Sequence, residues 1–511
     1  MTTLTRGRKA GIIGVCILTQ ILIAVDMTVL HLAIPALSEA LHPSTTQALW
    51  IADGYGFALA GLLITMGNVG DRIGRKRLLL GGAAVFGLVS VATAYAPNAE
   101  MLIALRVLLG MSAATLMPST LSILRNTFTG KERTAAIGVS SGLTILGFGL
   151  GPLVGGALLD HFWWGSVFLV NVPVVIVLIV AGLAVLPESR NPRPGRIDPL
   201  SVGLSLVGIL GVVYTIKEIA YKGLDHWDVY AAAVVGIGCL LAFLLRQPRL
   251  REPLMDLKLF GNRAFSATIG TTMLAMFAQL AVSVMITQYF QLVLGWPPLK
   301  SGLAGLPGMG GAMVGGVLGG VLIKVLGRAG TVTLGCAASA LGFALYSQVD
   351  AGTGYPYLVV TMAVFGVGLA LVLTVATDTV LGVVSKERAG AASAISETAT
   401  ELGGALGIAV LGSVLGSLYR QDLVLPGGLS STAADSARET LGGAVQIAAQ
   451  VPGGDALLQS AREAFLGGMQ VTMLGAAALM VVVAGVAWVT LRGVPKVLED
   501  PDVAVEEPAL V

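Results

Sequence analysis

The segment GAASAISETATELGGALGIAVLGSVLGSL, residues 390–418, is about as long as a membrane span. It has no Lys or Arg and consists mostly of Ala, Gly, Leu, Ile and Val. Two acids interrupt it, Glu397 and Glu401. Four residues apart, they share one helical face a single turn from each other. A carboxylate in hydrocarbon is costly, so such residues usually face a bundle interior and carry function. The rest of the chain has to account for burying them.

Of 511 residues, 55% are apolar and 12% charged, with a mean hydropathy of +0.85. Soluble domains carry about 25% charged residues, so the composition is that of an all-α polytopic membrane protein. The net charge of +2 offers no basic patch for nucleic acid. Cys16, Cys239 and Cys336 lie inside apolar runs without metal-ligand spacing, and they read as small buried hydrophobes. The first apolar run, 11–35, is too long for a signal-peptide core and lacks a small-residue cleavage pattern.

Spans of about 20 apolar residues fall near 11–35, 49–69, 78–96, 101–124, 136–159, 166–186, 200–220, 229–246, 265–294, 302–324, 330–349, 356–381, 390–418 and 468–491. With the N-terminus inside, cytoplasmic segments hold 24 of the 31 Lys and Arg residues, outer segments hold six, and Arg106 lies within a span. That asymmetry is the positive-inside pattern for fourteen spans with both ends cytoplasmic. The expected organisation is a six-helix bundle over 1–190, a linker with two inserted helices over 191–262, a second six-helix bundle over 263–491, and a cytoplasmic tail over 492–511. The outer loop 419–467 is expected to form a helical hairpin from 430–451 and 455–465, divided by Pro452-Gly453-Gly454 and with Asp455 as a cap, with a floppy loop as the alternative.

Several motifs have a physical reading. Gly67-Asn-Val-Gly-Asp71-Arg72-Ile-Gly74-Arg75-Lys76-Arg77 is a tight cytoplasmic turn in which Asp71 can accept bonds from arginines or a helix N-terminus. Gly147, Gly151 and Gly155, followed by Gly156, make a smooth face on the fifth span, and Pro152 removes one backbone bond there. An ordinary small-residue packing face is the bland alternative. Asp26, in Asp26-Met-Thr28-Val29-Leu-His31, lies about 24 Å along its helix from the inner end. Arg106, in Arg106-Val-Leu-Leu-Gly110, lies about 9 Å from the outer end of its own helix. Both therefore sit at a similar depth and can pair, either as a static ion pair or as a proton-sensitive one.

Together with Trp50-Ile-Ala-Asp53-Gly-Tyr55, Phe168 to Pro173, Pro187-Glu188-Ser189 and the Gly390–Glu401 stretch, these motifs resemble the fourteen-helix drug:proton antiporters of the major facilitator superfamily. The resemblance covers nearly the whole chain. It implies two six-helix bundles around a central cavity, two inserted helices, and no cofactor. Gly67, Asp71, Arg72, Gly74, Arg75 and Arg77 would form a conformational latch, and Gly147, Gly151, Pro152, Gly155 and Gly156 the antiporter motif. Asp26, Asp53, Glu397 and Glu401 would handle protons and cationic drug, with Arg106 as charge partner. Three departures stand out. Ser396 precedes Glu397 where some relatives carry a second acid, the stretch after Leu306-Pro307 has no Asp, and Lys324 stands where a second copy of the latch would repeat Asp71.

The expected mechanism is competition for one charge. Burial favours the protonated form of a carboxyl, and a lipophilic cation entering beside it expels the proton. Tyr55, Phe57, Met276, Tyr289, Phe290 and Phe365 are candidates to line an adaptable pocket, with core packing the alternative for each. Asp378 reads as a helix-end or interfacial group. The expected partners are small lipophilic cations, protons and the bilayer, in a monomer of the cytoplasmic membrane. The competing readings are an exporter of an endogenous metabolite, lipid or siderophore, a channel or receptor, and a membrane enzyme. No GxSxG, HExxH, CxxC or Walker pattern has a suitable context for the last.

Overall fold

The structure, a computed structural model, describes residues 5–43, 45–190, 198–222, 226–250, 253–385, 388–426, 429–451 and 454–495. Residues 191–197 of the linker, the tail beyond 495, and Pro452-Gly453 lie outside these.

Every regular element among the described residues is helical. In a bilayer a helix satisfies its backbone polar groups internally, and an apolar chain has no cheaper way to cross. The first seven helices are α1 (Arg6–Leu41), α2 (Thr45–Ile73), α3 (Arg75–Ala94), α4 (Ala99–Thr127), α5 (Gly130–Leu159), α6 (Ser166–Leu169) and α7 (Asn171–Val185). They share one hydrophobic core running from Ile12 to Leu186, which Leu381 from the later part of the chain also joins. Next come α8 (Pro199–Lys222) and α9 (Trp227–Arg246). The remainder are α10 (Arg263–Gln288), α11 (Pro298–Ala304), α12 (Leu306–Tyr346), α13 (Tyr355–Gly382), α14 (Ala389–Asp422), α15 (Ser431–Glu439), α16 (Leu441–Ala448) and α17 (Gly454–Leu491). A second core links these, from Ala275 to Leu491.

Eleven helical stretches among the described residues are long and apolar enough to cross a membrane. Two of the spans read from the sequence, 302–324 and 330–349, appear as the single helical run α12, broken at Gly327. That glycine has φ 76°, and Gly74, between α2 and α3, has φ 115°. Both positions need a residue without Cβ, and each is followed by an arginine that turns back into the protein, Arg328 and Arg75.

The outer loop departs from the expected hairpin. Its first half is two short helices, α15 and α16, broken at Thr440. The stretch expected as a separate helix over 455–465 is continuous with the last span as α17. Asp455 therefore sits in the first turn of a 38-residue helix. Ala437, Leu441 and Ala444 are buried against Leu457, Ala461 and Phe465 in the second core. The Tyr419 hydroxyl donates to the Ala437 carbonyl at 2.8 Å. The break between α16 and α17, after Ala448 and before Gly454, falls where the Pro452-Gly453-Gly454 signal put it, and apolar burial of α16 on α17 holds the two together.

The inserted helix α8 packs on both α2 and α14. Ile209 and Val213 join Phe57, Ala60 and Ile64 of α2 in a small cluster, with Leu402 of α14 alongside. Trp50, Phe57 and Tyr214 group above it, with ring centroids 5.5 to 6.4 Å apart.

Candidate functional site

Four groups of polar residues sit inside this apolar frame. The first is built around Asp26 on α1, which is fully buried. Its Oδ2 accepts from Arg106 Nη1 of α4 at 3.1 Å, and its Oδ1 accepts from Asn171 Nδ2 of α7 at 2.7 Å. Asn171 also donates to Ser90 of α3 at 3.2 Å. Arg106 Nε donates to the Ile51 carbonyl of α2 at 3.2 Å, and its guanidinium lies over the Tyr55 ring, 4.7 Å from the centroid. A buried ion pair survives only when its remaining polar valences are met, and here α7 and α2 supply the further bonds. The sequence reading singled out Asp26 and Arg106. It missed the roles of Asn171 and Ser90, whose one signal was an Asn inside the Phe168–Pro173 run. Asp53 lies on α2, and its side chain is outside the described residues.

The second group is on α14. Glu397 and Glu401 are half-buried and lie within electrostatic reach of each other. Glu401 is in turn within reach of Tyr55, which also feels Asp26 and Arg106. Helix α14 packs on α2, α4 and α8 on one side and on α10 and α17 on the other. Its acids therefore stand at the seam between the two cores. Of the residues considered for a pocket lining, Tyr289 and Phe290 belong to the second core, and Phe365 packs on Phe343 and Tyr346.

The third group joins the two cores at the helix ends. Asp71, in the last turn of α2, accepts from Arg75 Nε at 2.9 Å and Nη2 at 2.6 Å. It also accepts from the first-turn amides of α14, Gly390 and Ala391, both at 3.2 Å. A carboxylate at a helix N-terminus meets unpaired N–H groups and the positive end of the helix dipole. Gly67 brings the backbones together, since a Cβ there would strike the Gly390 carbonyl. Burial lifts the Asp71 carboxyl to about 6, against the pull of Arg75. Arg75 is further held by the Ser189 carbonyl, which accepts its amide at 3.0 Å. Arg77 reaches Glu188 at 3.6 Å in the open, a pair worth little. Arg72 is half-buried on the same turn.

A second junction mirrors the first with different parts. Arg328 follows Gly327 as Arg75 follows Gly74, but its partner lies 50 residues away in the chain, not four. Its Nη2 donates to Asp378 Oδ2 of α13 at 2.6 Å, and its Nη1 to Thr379 Oγ1 at 2.7 Å. The other Asp378 oxygen accepts from Thr134 Oγ1 at 2.9 Å and Arg133 Nε at 3.3 Å, both on α5. Beside it, Arg125 of α4 donates to the Leu381 and Val384 carbonyls at 2.6 and 2.8 Å, covering the orphan acceptors at the end of α13. Asp378 thus supplies the carboxylate that Lys324 replaced in the second copy. Arg125, Arg133 and Thr134 were not legible as partners, because nothing local marks them.

Helix α5 meets α1 through its glycines. A Cβ at Gly147 would come 2.7 Å from the Ala24 Cβ and at Gly155 2.6 Å from Val29 Cγ2, while at Gly151 it would overlap the Thr28 hydroxyl. Gly156 faces the other way, toward Leu299 at 3.7 Å. It lines a cavity of about 200 Å³ with Leu32, Leu159, Asp160, Pro297 and Leu299. Pro152 lies within α5, and its side chain is outside the described residues.

A sequence model of the Major Facilitator Superfamily matches residues 16–408. The chain belongs to the major facilitator superfamily. As a superfamily member with many apolar helices it is a multi-pass membrane transporter. It is 41% identical to the multidrug efflux pump LfrA of Mycolicibacterium smegmatis, over 96% of this chain and 98% of that protein. Identity to the methyl viologen resistance protein SmvA of Salmonella typhimurium is 37%, over 93% and 97%. To the tetracenomycin C resistance and export protein of Streptomyces glaucescens it is 31%, over 96% and 93%. Among solved structures, the human organic anion transporter MFSD10 (TETRAN) superposes with a TM-score of 0.61 at 15% identity, covering 94% of this chain and 99% of that one. At that identity the likeness is one of superfamily fold.

Proposed function

We propose that this transporter is a proton-driven multidrug efflux antiporter for lipophilic cations, such as quaternary ammonium biocides, dyes and fluoroquinolones. In this reading the chain crosses the cytoplasmic membrane fourteen times with both ends inside. To the eleven apolar stretches are added α2 and α5, and the run through α12 counts twice because it divides at Gly327.

The observation that carries the reading is α14. It holds two carboxyls at the seam between the cores, and its first turn is bonded to Asp71 of the other core. Rocking one bundle against the other then changes what surrounds Glu397 and Glu401. A protonated Glu401 is neutral and tolerates the apolar interior. A lipophilic cation arriving beside it favours the carboxylate and displaces the proton. Protonation from the outer side releases the cation. Asp26, with Arg106, is the second proton site, and Asp53 acts near the outer mouth. The name of LfrA supports multidrug efflux, and that of SmvA, a methyl viologen resistance protein, supports an organic cation as cargo. Export of a metabolite made by the same cell is the second reading, favoured by the Streptomyces relative.

The test is transport in everted vesicles with a panel of cationic dyes, biocides and fluoroquinolones beside neutral and anionic metabolites, with and without a protonophore. Cation-dependent proton release that Glu401→Gln abolishes supports the reading. Normal exchange by Glu401→Gln, or uptake indifferent to the protonophore, overturns it.

A further inference from the structure

Tyr55 is 2% exposed, and its hydroxyl is buried without a hydrogen-bond partner. A buried hydroxyl normally finds one, because leaving it unpaired is costly. Its ring is engaged, since it carries the Arg106 guanidinium on one face at 4.7 Å, and Arg106 in turn holds Asp26. The close approach of α4 that allows this depends on Gly110, where a Cβ would overlap the Tyr55 carbonyl. Helices α2 and α14 pack on each other here: Leu402, next to Glu401, lies against the cluster that holds Phe57, two residues from Tyr55, and Tyr55 is within electrostatic reach of Glu401. One side chain therefore touches the Asp26–Arg106 pair with its ring and presents an unused hydroxyl at the seam with α14.

We propose that Tyr55 is a positioning residue of the exchange site: its hydroxyl donates to the Glu401 carboxylate once the proton has left, and its ring ties that bond to the Asp26–Arg106 pair. This rests on Glu401 being the exchanging group. A hydrogen bond to the charged form favours it, so Tyr55 sets the pH at which Glu401 accepts a cation. Charged groups from the surrounding helices are few. They are Asp26 of α1, Arg106 of α4 and Glu397 of α14 itself. Helix α2 itself carries Asp53, whose side chain is outside the described residues; α8 carries Lys217, Glu218 and Lys222 near its far end, α10 only Arg263 at its start, α13 Asp378 near its end, and α17 Asp455, Arg462 and Glu463 in its first turns.

The experiment is tetraphenylphosphonium binding to the purified full-length protein as a function of pH. For the wild type, binding strengthens as pH rises through a midpoint. Tyr55→Phe keeps the ring over Arg106 and should move the midpoint up by about one pH unit, which is about tenfold weaker binding below it. Difluorotyrosine at position 55, a stronger donor, should move it down. Glu401→Gln should flatten the profile, and adding Tyr55→Phe to it should change nothing more. A flat Glu401→Gln profile with an unmoved midpoint in both Tyr55 variants overturns the role of Tyr55 and leaves that of Glu401 standing. A Glu401→Gln profile that keeps its slope overturns the reading beneath it. An additive loss in the double variant places Tyr55 elsewhere and also overturns the proposal.

Discussion

The amide of Gly390 donates to the carboxylate of Asp71 at 3.2 Å, so the helix bearing Glu397 and Glu401 begins on a side chain from the other core. Seven residues, about two helical turns, separate that bond from Glu397. In the proposed mechanism a change at that end of α14 reaches the acids along the helix. The same carboxylate serves Arg75, which ties the turn after α2 to the junction.

Asp71 makes this junction pH-sensitive. Its carboxyl titrates at about 6 when buried, against an ordinary value of about 3.9 when solvated. The state with the higher value binds the proton more tightly. The closed junction therefore gains stability relative to an opened one as pH falls from about 6 to 4, and loses it as pH rises through 6. Spin labels at Arg77 and Ser385 should report a larger closed fraction at pH 5 than at pH 7, and Asp71→Asn should abolish the difference. A pH-independent distance distribution in the wild type contradicts this.

Asp378→Asn leaves Arg328 and Arg133 without their counter-charge in a buried place. Breaking such a pair from one side typically costs about 3–5 kcal/mol. We expect a Tm in detergent lower by several degrees and reduced membrane levels. Lys9→Ala, which removes an exposed pair with Glu132, should leave the Tm within about one degree. Equal effects from the two changes rule out a special role for Asp378.

The glycines of α5 make a graded prediction. Gly151→Ala places a methyl on Thr28, whereas Gly156→Ala meets Leu299 at ordinary contact distance. Overpacking costs about 1–3 kcal/mol, so Gly151→Ala should lower the Tm and transport while Gly156→Ala changes both little. Wild-type behaviour of Gly151→Ala places the α1–α5 contact elsewhere.

Asp26→Asn should stop gradient-driven export while leaving detergent binding of tetraphenylphosphonium within about tenfold, because the cation is assigned to α14. Arg106 keeps its bond to Ile51 and its place over Tyr55 but loses its buried counter-charge, so the Tm should fall about as far as in Asp378→Asn. Export at the wild-type rate removes Asp26 from the proton path.

Much of this was readable along the chain. Span length, the asymmetry of Lys and Arg, and the depth arithmetic that brings Asp26 level with Arg106 are properties of single helices in a slab of known thickness. The latch turn was readable because its glycines, aspartate and arginines lie within eleven residues. Hidden from the same reading were Asn171 and Ser90 behind Asp26, the Arg133–Asp378–Arg328 cluster, and the run of α17 out of the membrane to meet α16.

The amino-acid sequence by itself determined that this chain is a bundle of apolar helices with acids buried on one of them. Hydrophobicity and helical period are local, and the bilayer imposes the rest. Only the tertiary structure decided which charge answers which. A buried charge takes whatever partner packing delivers to hydrogen-bond range, and that partner can stand on any helix. In this protein Asp71 is answered by its own turn and by the start of α14, while Asp378 is answered from α5 and α12.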